Sequence, residues 1–91
     1  VNVKKIIYSI IREVQKGSQP KATDYDLTAE EFVKISQIIK QEEYVDNIGI
    51  AGTFVFYNNT SVTMKGLEFL EQNSAWAKTY RILTEIRDWI K

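Results

Sequence analysis

The sequence predicts an α+β domain in which two amphipathic helices precede a two-stranded β-hairpin and two further helices follow it. Three observations carry this expectation. Apolar residues recur at helical spacing over 3–16 and again over 29–42. Two runs of β-branched and aromatic residues, 44–50 and 53–57, flank the turn-forming pair Ala51-Gly52. Ser or Thr stands immediately before each later helical stretch, where a hydroxyl can accept a bond from an orphan backbone N–H. At 91 residues the chain has room for one core, because a chain of this size buries only about 60–65% of its unfolded surface. One domain over residues 1–91 is expected.

In the first helix Val3, Ile6, Ile7, Ile10, Ile11 and Val14 share one stripe, while Lys5, Ser9, Arg12 and Lys16 line the opposite face as a basic stripe. Gly17 supplies a left-handed stop and Ser18-Gln19-Pro20 the break. Residues 21–27 are short and polar, fit for extended chain or one loose turn. Thr28 and Glu31 form a capping box for the second helix, whose core stripe is Phe32, Ile35 and Ile39, with Val33 and Ile38 on its flanks. Its far face presents Glu30, Lys34, Gln37 and Gln41. After the hairpin and a short return at 61–63, Thr63 caps a helix over 64–72 bearing Leu67, Phe69 and Leu70. Ser74 is the expected cap of a last helix with Trp76, Tyr80, Ile82, Leu83, Ile86, Trp89 and Ile90, an apolar arc of about 180° where a core-facing helix needs about 100°.

Composition removes whole classes of function. A hydrophobic fraction of 44% beside 26% charge belongs to ordinary globular chains, not disordered ones. With no Cys and no His there is no disulfide, no thiolate or imidazole metal site, no Ser-His-Asp triad and no Cys nucleophile. No cofactor or metal site is expected. No stretch approaches the roughly 18 apolar residues that span a bilayer, and no secretory leader is recognisable, so the expected address is cytoplasmic with no membrane partner. Net charge is zero but unevenly placed. Lys4, Lys5, Arg12 and Lys16 stand against Glu13 in the first twenty residues, whereas residues 21–50 set three lysines against seven acids.

Helix, capped helix, hairpin, helix is the order of a winged helix whose usual middle helix is reduced to the segment around Tyr25. Three stretches carry a more specific likeness: Asp24-Tyr25-Asp26-Leu27-Thr28 leading into Phe32, Thr63-Met64-Lys65-Gly66-Leu67-Glu68-Phe69-Leu70, and Asn73 to Tyr80 continuing to Glu85-Ile86-Arg87-Asp88-Trp89-Ile90-Lys91. Across essentially the whole chain the sequence resembles the YjcQ-like family of bacterial and prophage proteins. The resemblance implies a winged-helix-like fold and brings no activity, substrate or site residue with it.

Each candidate site has a bland counterpart. Paired acids at Asp24/Asp26, Glu30/Glu31 and Glu42/Glu43 could do acid–base work or hold a hard cation, but adjacent helical residues point about 100° apart and cannot share a proton. Solvated faces and helix N-terminal charge explain them better, and no enzyme is expected. Lys34, Gln37 and Gln41 occupy the face that a winged helix sets in the major groove, where Gln can pair with adenine, and Lys5, Arg12 and Lys16 could contact phosphates, joined by Lys78 and Arg81. Yet residues 29–43 sum to −2, unfavourable beside phosphates. Phe56 and Tyr57 are expected in the core rather than stacked on bases. In the last helix Ile82, Ile86 and Trp89 could form the seam of a homodimer. Two functions follow: a non-enzymatic DNA-associated or regulatory protein whose partner is duplex DNA, or a protein–protein interaction module on the same scaffold that meets a basic protein partner through its acidic middle.

Overall fold

The computed structural model describes residues 3–77. Helix α1 spans Val3–Gln15, a 3₁₀ turn Ala22–Tyr25, helix α2 Ala29–Gln41 and helix α3 Met64–Gln72, with a second 3₁₀ turn at Ser74–Trp76. Between α2 and α3 lie four short strands, β1 Val45–Asp46, β2 Gly49–Ala51, β3 Phe54–Phe56 and β4 Ser61–Val62. The architecture is α+β, and its element order is consistent with a small winged-helix-like fold.

Each boundary has a local cause. Gly17 adopts φ +82°, which lets the Gly17 and Ser18 amides donate to the Val14 and Glu13 carbonyls at 3.0 and 2.9 Å, the paired bonds of a Schellman stop. The 3₁₀ turn is opened by the Lys21 amide donating to the Asp24 carboxylate at 3.0 Å. At α2 the expected capping box is present: the Glu31 amide donates to Thr28 Oγ1 at 3.1 Å and the Thr28 amide to Glu31 Oε1 at 2.9 Å. Thr63 caps α3 by accepting from the Gly66 amide at 3.1 Å, and its own hydroxyl donates to the Glu43 carbonyl. Ser74 lies inside the 3₁₀ turn, and residues 78–91, over which the last helix is expected, lie outside the described residues. The preceding Asn73 donates its side-chain amide to the Phe69 carbonyl, 2.8 Å away.

The hairpin is nested rather than continuous. Tip strands β2 and β3 pair with Gly49 opposite Phe56 and Ala51 opposite Phe54; stem strands β1 and β4 pair Val45 with Val62. Extending the tip register would set Val45 opposite Thr60, so the returning strand carries two extra residues, taken up around Asn58-Asn59. The turn falls at Gly52-Thr53, one residue later than the sequence suggested, with Gly52 at φ +61°, as the first position of a II′ turn requires. At the interruption Ile48 and Tyr57 are both buried and pin the wing to the body.

The core joins Ile7, Ile10, Ile11 and Val14 of α1 to Phe32, Ile35 and Ile39 of α2, to Val45, Ile48 and Tyr57 of the wing, and to Phe69 and Leu70 of α3. Tyr57 donates to Ser36 Oγ at 2.7 Å, so the one buried hydroxyl pair of α2 and the wing is satisfied. Trp76 packs edge-on against Tyr8 of α1, with ring centroids 6.1 Å apart. On α3 Leu67 is 40% exposed, while the neighbouring Gly66 is buried, where a side chain would collide with the Tyr44 carbonyl at 2.1 Å. Among the described residues no helix is long and apolar enough to cross a membrane.

Candidate interaction surface

The wing projects two aromatic rings outward. Successive residues of a strand face opposite sides, so Val55 and Tyr57 turn inward while Phe54 and Phe56 turn out, 68% and 49% exposed. Across the ladder stand only Gly49 and Ala51, and the Phe56 ring lies over Gly49. The sequence placed Phe56 in the core with Tyr57; that holds for Tyr57 and fails for Phe56, since two neighbours on one strand cannot both point inward. Phe54 was not singled out at all, although period-two alternation from the buried Tyr57 identifies it.

Charge is missing from this surface. No residue from Asn47 to Met64 is ionisable except the phenol of Tyr57, and no Lys or Arg occurs between Gln41 and Met64. Burial pushes the Tyr57 phenol up to about 12. At the wing's stem Asp46 accepts from both the hydroxyl and the amide of Ser61, at 2.8 and 3.0 Å, and these bonds hold its carboxyl below its ordinary value. The stem's one acid is thereby committed to structure.

Residues singled out for nucleic acid are only partly brought together. Lys34, Gln37 and Gln41 are exposed along the outer side of α2, with Glu30 on the same face. Glu31 is engaged in the cap, whose backbone bond lowers its pKa. On α1, Lys5 and Lys16 are exposed but Arg12 is half-buried, its guanidinium donating to Gln15 at 3.1 Å, and Ser9 lies 2.9 Å from the Tyr25 hydroxyl. The basic stripe of α1 is thus partly packed under neighbouring structure. Glu13, on the same helix, is 2% exposed. Lys78, Arg81 and the dimer candidates Ile82, Ile86 and Trp89 lie outside the described residues. Among the described residues no group of acids is arranged to hold a metal ion.

The sequence model of the YjcQ protein family matches residues 5–89 of the chain. The chain belongs to the YjcQ family. A YjcQ relative from Bacillus subtilis (strain 168), named "Uncharacterized protein YjcQ", is 29% identical over 94 aligned residues and is covered end to end, as is this chain. No solved structure matches the chain. The YjcQ match takes in both the capped α2 and the wing.

Proposed function

We propose that this YjcQ family member is a non-catalytic protein-interaction module on a winged-helix-like scaffold, with the wing as its docking element. The observation that carries this reading is the pair Phe54 and Phe56, exposed on a strand that lies within a run of 18 residues without a formal charge. Large exposed aromatics are typical anchors of protein interfaces, where burying them in a partner's pocket supplies much of the affinity. A wing that grips DNA needs cations for phosphates, and this one has none. The absence of Cys and His from the whole sequence agrees with a role without catalysis.

DNA binding is a second reading, favoured by one feature: Lys34, Gln37 and Gln41 are all exposed on the helix that precedes the wing. The two readings separate by salt and by variant. In a fluorescence titration against duplex DNA at low salt, the module should show no saturable binding. If Lys5, Lys16 and Lys34 do neutralise three phosphates, log affinity falls against log salt with a slope of about −2.7. On the protein side, a partner cross-linked to the full chain is lost from Phe54→Ser/Phe56→Ser and kept by Lys34→Ala/Gln37→Ala/Gln41→Ala. The reverse pattern rejects the wing as the docking element.

A further inference from the structure

A second surface, apart from the wing, has the makings of a small-molecule site. Where the first turn of α1 meets the end of α2 and the middle of α3, a groove of about 460 Å³ opens. Its apolar lining is Val3, Ile7, Ile38, Tyr44 and Phe69. Tyr44 and Phe69 are in ring contact, with centroids 4.8 Å apart, so the aromatic part of the lining is itself packed. A volume of this size lies within the range of ligand sites and admits a molecule the size of a large amino acid.

Two charges of opposite sign border this lining. Lys4 lines the groove from α1 and Glu42 from α2, and neither forms an ion pair among the described residues. The end of α2 reinforces the same polarity, because Glu42 caps the negative end of its helix dipole. An apolar hollow with a positive border on one helix and a negative border on the other complements one chemistry: a zwitterion with an apolar body.

We propose that this groove binds a free amino acid with a large apolar side chain. The carboxylate faces Lys4, the ammonium faces Glu42 and the end of α2, and the side chain lies on Ile7, Ile38 and Phe69. Charge-assisted bonds to both ends select the free amino acid over molecules that carry one charge. The proposal is independent of the wing and of any macromolecular partner.

L-phenylalanine is the probe, titrated into the isotopically labelled full chain and followed by amide chemical shifts. Saturable perturbation confined to residues around Val3, Ile38, Tyr44 and Phe69 is expected at millimolar ligand. N-acetyl-L-phenylalanine lacks the ammonium and L-phenylalanine amide lacks the carboxylate; each should bind about tenfold more weakly. Lys4→Gln should weaken phenylalanine about as much and abolish its advantage over the amide, while Glu42→Gln should abolish its advantage over the N-acetyl compound. Both residues are on the surface, so neither change threatens the fold. Ile38→Trp, which fills the groove from its rim, should prevent binding. No saturable perturbation, or equal affinity for phenylalanine and its two singly charged analogues, would overturn the proposal, as would shifts centred on the wing.

Discussion

Gly66 is the glycine at which an added side chain would meet the closest neighbours. An added methyl would lie 2.1 Å from the Tyr44 carbonyl oxygen and 2.7 Å from Val62 Cγ1, and a backbone oxygen at the entrance to the wing cannot swing aside. Gly66→Ala should therefore destabilise by several kcal/mol despite alanine's higher helix propensity, which alone would favour it by about 1 kcal/mol. Urea unfolding checks the sign; a more stable variant would mean that α3 can slide. Tyr57 has an equally specific signature. Its phenol is pushed up to about 12 by burial, whereas an unfolded tyrosine ionises near 10. The folded state keeps a proton that the unfolded chain releases, so stability is fully present below pH 10 and is lost as pH rises towards about 12. Denaturation midpoints between those values should fall for the native chain. Tyr57→Phe should remove that alkaline component, at a cost at neutral pH of about 1–3 kcal/mol for leaving Ser36 Oγ without its partner.

At the scale of elements, caps and turns decide where each helix and strand ends. Most of these signals are local enough to read in sequence: the Thr28 capping box, the Gly17 stop and the Thr63 cap are all where side-chain chemistry puts them. The end of α2 is different. Glu43 takes φ +59° in a Schellman-like stop, with the Tyr44 amide donating to the Ile39 carbonyl and the Glu43 amide to that of Lys40, both at 3.1 Å. A glutamate there bears the strain that glycine avoids. Glu43→Gly should stabilise the protein by about 1 kcal/mol, since the ion pair it gives up to Lys65 is an exposed contact at 3.8 Å. Thermal unfolding measures this directly, and a lower midpoint would show that the ion pair matters more than the backbone. No sequence signal marks Glu43 for this conformation. It arises because the chain must turn at once into β1 to bring Val45 into the core.

For the whole molecule, charge and shape work through the surface as a sum. With a pI of about 6.4 and two exposed phenylalanines on an uncharged wing, solubility should be lowest near that pH, where no net charge opposes association. Phe54→Ser/Phe56→Ser should raise solubility there while leaving the unfolding midpoint almost unchanged, because neither ring belongs to the core. A large loss of stability would instead assign the rings a structural role. Much of this molecule was determined by sequence alone. Helical periodicity located α1 and α2, β-branched runs located the hairpin, and the capping residues set the starts of α2 and α3, because each of these depends on neighbours within a turn or two. Tertiary structure alone decided which hydrophobic residues stay outside. The buried Tyr57 and Ile48 choose the inward face of the wing and thereby turn Phe54 and Phe56 out, and α3 sets Gly66 against Tyr44 while Leu67 stays exposed. Alternation along β3 puts Phe54 and Phe56 on one side, but only packing decides that this side faces out. Each outcome is a competition for the same core volume between residues far apart in the chain, and it is resolved only when the elements pack together.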